Sequence, residues 1–120
     1  MKLKNILLVV NDLERSKRFY RQLFGLCTAL DGEETVMLTE GLVLQEKKVW
    51  EETLGEKVLA RNHAAELYFE EKDLEGFLKK LETYDDPVRL VQPLTILPYG
   101  QKMLRLYDPD ENLIEVREPL

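Results

Sequence analysis

The sequence predicts an α+β fold in which a βαβββ unit occurs twice in tandem, and three observations carry that expectation. The triplet Asp-Leu-Glu opens two helical stretches, at Asp12-Leu13-Glu14 and at Asp73-Leu74-Glu75. Each is preceded by a run of strand composition, residues 3–10 and 64–70, and followed by short runs bounded by turn residues. The last two runs, residues 102–107 and 113–117, flank Asp108-Pro109-Asp110-Glu111-Asn112 and read as a β-hairpin, because Pro presets φ and Asp or Asn bonds nearby backbone. A unit repeated at fixed spacing is the mark of a duplication.

In chain order, residues 3–10 are aliphatic and β-branched and end at Asn11-Asp12, which suits a buried strand. Asp12 then caps a helix over 13–24, where Leu13, Tyr20, Leu23 and Phe24 recur at helical spacing and Gly25 stands where a left-handed residue ends a helix. Residues 26–30, 35–38 and 42–46 are three strand candidates. A polar connector follows at 48–62, holding Trp50 and Gly55. The pattern then restarts: a strand to Glu70, Asp73 as cap, a stripe of Leu74, Phe77, Leu78, Leu81 and Tyr84, a strand near 88–91, and the hairpin. One domain of 1–120 made of two modules, about 1–47 and 63–120, is the expected organisation.

With 120 residues and 44% hydrophobic content the chain suits one hydrophobic core. A net charge of -6 opposes binding to nucleic acid, which needs a concentrated positive surface. No apolar run approaches the ~20 residues that span a bilayer, and no secretory leader pattern opens the chain. No membrane partner and a cytoplasmic location are therefore expected. Cys27 stands alone and reads as a small buried hydrophobe.

Side chains alternate across a strand, so Leu67 and Phe69 under a helix leave Glu66, Tyr68 and Glu70 on the opposite face. By the same parity Glu115 and Arg117 stand opposite Ile114 and Val116. The repeat sets Asn5 against Glu66 and Gln45 against Glu115. Two carboxylates close together repel, so one takes up a proton or finds a cation such as Arg117. Tyr68, Trp50, Tyr99, Arg105 and Arg117 are candidate lining for a small, partly aromatic or anionic ligand, since pockets combine apolar walls with a few fixed polar groups. His63, the one histidine, reads as a residue of an exposed loop.

Three stretches, VNDLERSKRFYRQLFGL, ELYFEEKDLEGFLKKL and PYGQKMLRLYDPDENLIEVRE, resemble the vicinal-oxygen-chelate superfamily, which includes glyoxalase I, bleomycin and fosfomycin resistance proteins and extradiol dioxygenases. Glu111 stands where that superfamily usually has glycine. The resemblance implies a glyoxalase-like fold, a curved, incompletely closed mixed sheet with helices outside, and a homodimer. It also implies metal ligands at Asn5, Gln45, Glu66 and Glu115, with the two glutamates as catalytic groups. Neutral amides at two of the four positions weaken a metal site, and four oxygen donors would favour Mg²⁺ or Mn²⁺ over Zn²⁺ or Ni²⁺. Two functions follow from the resemblance: metal-free binding of a small molecule between the curved sheets, or a divalent-metal-dependent lyase, isomerase or dioxygenase acting on vicinal oxygens.

Overall fold

The computed structural model describes residues 1–120, and the chain divides into two compact units, Met1–Ala60 and Arg61–Leu120. The first unit contains β1 (Ile6–Val10), α1 (Leu13–Phe24), β2 (Thr28–Asp31), β3 (Thr35–Leu38), a one-turn segment Thr39–Gly41, β4 (Leu42–Glu46) and α2 (Lys47–Leu54). Its sheet runs β1-β4-β3-β2, with β1 parallel to β4 and the other pairs antiparallel.

Asp12 starts α1 by accepting the Arg15 backbone N–H at 3.1 Å, which satisfies one of the orphan donors of a helix N-terminus. Gly25 ends it at φ 70, with its N–H on the Arg21 carbonyl. A Cβ there would meet nothing within 4 Å, so the glycine is required for its dihedral rather than for space. Between the caps, α1 buries Ser16, Phe19, Tyr20 and Leu23 against β3 and β4. On the sheet, Leu8, Leu44 and Val36 share one row, and Val10, Leu44 and Val36 are sealed from solvent. Each fully buried side chain of this size contributes about 1.5–3 kcal/mol. The opposite face carries Leu7, Val9, Val43, Gln45, Thr35 and Met37 by alternation.

The second unit contains β5 (Glu66–Glu70), α3 (Leu74–Thr83), β6 (Leu90–Ile96), β7 (Lys102–Tyr107) and β8 (Leu113–Arg117). The order is β5-β8-β7-β6, again with one parallel pair, β5 with β8. Asp73 caps α3 through the Gly76 N–H at 2.9 Å, and Leu74, Phe77 and Leu81 are its buried stripe. Lys102 pairs with Glu75 of α3 at 3.3 Å, which marks the sheet face on which Lys102, Leu104 and Leu106 alternate as the one on the α3 side. Leu104, Leu106, Ile114 and Val116 are each 1% exposed or less. The other face is left for Glu66, Tyr68, Glu115, Arg105 and Arg117.

Several elements differ from the sequence expectation. The connector at 48–62 is not irregular throughout: α2 occupies Lys47–Leu54 and ends at Gly55, φ 71. Val49, Trp50 and Leu54 are too few apolar residues among charges to mark a helical stripe. β6 starts and ends later than residues 88–91 and passes through Pro93, which its edge position and two register shifts accommodate. Cys27 is exposed, not buried, because it lies just before the edge strand β2. In the hairpin, Asp108 Oδ1 accepts the N–H groups of Asp110 and Asn112 at 2.8 and 2.9 Å. That cage holds Glu111 at φ 64, so the turn keeps a left-handed residue without glycine, at a cost of about 1–2 kcal/mol.

Candidate functional site

The uncovered face of the second unit is organised by β8, an interior strand with β5 on one side and β7 on the other. Register sets Tyr68, Glu115, Arg105 and Gln92 in one row across the four strands. Glu115 stands at the middle of that row with its side chain 2% exposed. A carboxylate so far from water is costly unless its lone pairs are met by cationic donors, and here they are. Arg105 Nη2 donates to one oxygen, and Arg117 Nε donates to the other at 2.5 Å.

The two guanidiniums carry the network outward. Arg105 Nε donates to Glu66 at 3.1 Å and its Nη1 to Gln92 at 2.6 Å. Arg117 Nη1 donates to the Tyr99 hydroxyl at 3.1 Å and to the Gln101 side-chain carbonyl at 3.3 Å. Gln101 is itself buried and donates its amide to the Glu118 carbonyl. The Arg117 guanidinium carbon lies 5.8 Å from the Tyr68 ring centroid, within cation–π range. Tyr99 is presented by the turn before β7, where Gly100 adopts φ 91. The Glu115 hydrogen bond raises the Arg117 pKa above the ordinary guanidinium value, against a smaller opposing effect of burial. Since the folded-state value is the raised one, the stabilisation is complete below the ordinary value and is lost only as pH climbs through the raised one. It is therefore constant across the physiological range.

Glu66, Tyr68, Tyr99, Arg105, Glu115 and Arg117 thus form one connected cluster, to which Gln92 and Gln101 belong as well. Neither glutamine was legible in the sequence: Gln92 sits at a register shift next to Pro93, and Gln101 lies in the turn before β7, outside any alternating run. His63, expected as a plain loop residue, keeps a loop conformation at φ 53. Its ring is nonetheless stacked on Tyr107, with Nε2 hydrogen-bonded to the Tyr107 hydroxyl.

Asn5, Gln45 and Trp50 belong to the first unit. The Asn5 amide donates to the Gly41 carbonyl at 3.3 Å, bracing the turn before β4. Gln45 accepts from the Thr35 hydroxyl at 2.7 Å and donates to the Glu46 carbonyl. Trp50 is half-buried on α2. Two clefts of this unit, about 760 and 650 Å³, are lined by charged residues such as Glu46, Lys47 and Glu51, or Asp12, Asp31 and Glu33. Neither includes Asn5, Gln45 or Trp50.

The donor set implied for a metal is Asn5, Gln45, Glu66 and Glu115. Both oxygens of Glu115 and one of Glu66 already accept from guanidinium groups. The Gln45 carbonyl is taken by Thr35. No three His, Cys, Asp or Glu side chains assemble as a metal cluster. Glu66 and Glu115, with their oxygens turned to guanidinium groups, do not fit a divalent cation: two fixed positive charges stand against Glu115, and the only imidazole is engaged with Tyr107.

Sheets of one parallel and two antiparallel pairs, repeated in tandem βαβββ order, define the class of α+β proteins to which glyoxalases and bleomycin-binding proteins conform. Residues 3–120 match the model of the glyoxalase-like domain, and the chain belongs to that family, within the vicinal-oxygen-chelate superfamily. It is similar to a protein of unknown function from Agrobacterium tumefaciens str. C58, with 31% identity and a TM-score of 0.82 over 100% of this chain and 95% of that one. A glyoxalase-related enzyme from Fulvimarina pelagi is 23% identical, with a TM-score of 0.81 over 98% and 88% of the two chains. A bleomycin-binding protein solved in complex with bleomycin is 17% identical, with a TM-score of 0.67 over the whole of both chains. Comparison with curated proteins found no match.

Proposed function

We propose that this protein binds a small molecule without a metal, on the face of the second unit centred on Glu115. The observation that carries this reading is the pairing of Glu115 with Arg105 and Arg117, which spends the carboxylate on positioning two guanidiniums instead of a cation. Around them stand two exposed aromatic rings, Tyr68 and Tyr99, the combination of flat apolar surface and fixed polar groups that small-molecule sites use. A structural neighbour of the same fold holds bleomycin, which supports the binding of a small molecule. The metal-dependent lyase, isomerase or dioxygenase reading rests on Glu66 and Glu115 as proton-moving ligands, and it requires both to release their arginines first.

The test is a mixed aromatic fragment library added to isotope-labelled protein in the presence of EDTA, with amide shifts followed residue by residue. Perturbations should cluster at Tyr68, Tyr99, Gln101 and Arg117. Their absence from this face, or their appearance only when Mn²⁺ or Mg²⁺ replaces EDTA, would contradict the proposal.

We also infer a homodimer. Each sheet ends in two edge strands, and Ile6, Leu7, Leu30 and Ile96 are exposed on or beside them, a surface that symmetric pairing covers. Light scattering should give twice the 14.1 kDa of one chain; a monomer mass that persists across micromolar concentrations is the contrary result.

A further inference from the structure

We infer that the ligand of this face is an aromatic monocarboxylate, with its carboxylate on Arg117 and its ring on the Tyr68–Tyr99 surface; the inference rests on the small-molecule reading above and names the chemistry of the ligand. The nitrogens of Arg117 are unequally used. Nε is spent on Glu115, and Nη1 on Tyr99 and Gln101. Nη2 donates to no group of the protein, so two N–H bonds of a permanently charged guanidinium remain open. Arg105 has as many N–H bonds left over, but they are divided between Nη1 and Nη2, each of which already donates to one acceptor. The open edge is therefore Arg117's.

A second donor accompanies it. The Tyr99 hydroxyl accepts from Arg117 Nη1, which leaves its own hydrogen free to donate. Guanidinium and phenol thus offer N–H and O–H bonds side by side, the arrangement that suits a planar oxyanion. Glu115, locked between two arginines and buried, holds the guanidinium in place while its own charge is cancelled. The flanking rings, Tyr68 at 52% and Tyr99 at 66% exposure, give flat apolar surface beside the anion site. One neighbour limits the charge. Glu70 is the register partner of Arg117 on β5 and points to the same face. A doubly charged phosphate would meet that carboxylate with twice the repulsion of a monocarboxylate, so the singly charged group is favoured.

The experiment is amide-shift titration with benzoate, benzamide, benzylamine and phenyl phosphate, on the native chain and on Arg117→Gln, Tyr99→Phe and Glu70→Gln. Benzoate should bind the Tyr68, Tyr99 and Arg117 region most tightly of the four. Arg117→Gln should weaken it by about tenfold or more, as expected for losing a charge-assisted pair, and Tyr99→Phe severalfold. Glu70→Gln should tighten benzoate. The last two changes are at exposed positions, so they decide the matter even if Arg117→Gln unfolds the sheet. Preference for benzamide or benzylamine at the same face, or weaker benzoate binding in Glu70→Gln, would overturn the ligand class while leaving the small-molecule reading intact. Tighter phenyl phosphate than benzoate would overturn the charge assignment. Silence of this face toward all four probes, together with silence toward the fragment library, would remove both.

Discussion

Replacing Arg105 with alanine is expected to lower stability by about 2–3 kcal/mol, more than any other surface-facing change on this sheet. Removing one member of a buried ion pair costs about 3–5 kcal/mol, because the remaining charge is left without a counterpart. Here Glu115 keeps Arg117, which reduces the figure. Arg105 also loses its bonds to Glu66 and Gln92, so three acceptors on three strands, β5, β6 and β8, lose their shared donor. Urea denaturation read by circular dichroism measures the change. A loss below about 0.5 kcal/mol, the ordinary range for a surface substitution, would show that the network is a solvated surface arrangement. Glu115→Leu makes the complementary point: it leaves the Arg105 and Arg117 guanidiniums with no carboxylate between them, so it breaks the pairing instead of replacing all of its members by apolar groups. It should therefore also be destabilising, while abolishing the orientation of Arg117.

The face on which these residues stand was legible from strand parity. Leu67, Phe69, Ile114 and Val116 alternate with Glu66, Tyr68, Glu115 and Arg117, and once the apolar set is placed under a helix the polar set has only one place to go. The caps were legible as well, since Asp12 and Asp73 each precede a helical stripe by one residue. What alternation could not give was the partner of each charge. Arg105 meets Glu115 only because the five-residue turn with left-handed Glu111 fixes the hairpin register, and a different turn would have shifted every pair. Gln92 reached the row through a bulge at Pro93, and such register shifts leave no periodic trace. The helix α2 was hidden for the opposite reason. Its stability depends on packing of few residues against β1 and β4, and its charged sequence has the composition of a linker.

The first unit shows how a repeated frame can diverge in chemistry. Gln45 and Asn5 occupy the positions that the repeat sets against Glu115 and Glu66, yet each is spent on a local hydrogen bond, to Thr35 and Gly41 respectively. An amide there adds no charge to offset the dehydration of a divalent ion. On the second unit the carboxylates are retained and their charge is cancelled by arginine.

That contrast leads to the second large effect, a metal affinity that should be weak in the native chain. Isothermal titration of chelator-treated protein with Zn²⁺, Ni²⁺ and Mn²⁺ reads it directly, since a cation entering this site must displace Arg105 and Arg117 from Glu115 against their own positive charge. Native protein should show no dissociation constant tighter than about the millimolar range, roughly the affinity left to one or two weakly held carboxylates. Submicromolar Zn²⁺ or Ni²⁺ binding that disappears in Glu115→Gln would contradict the account.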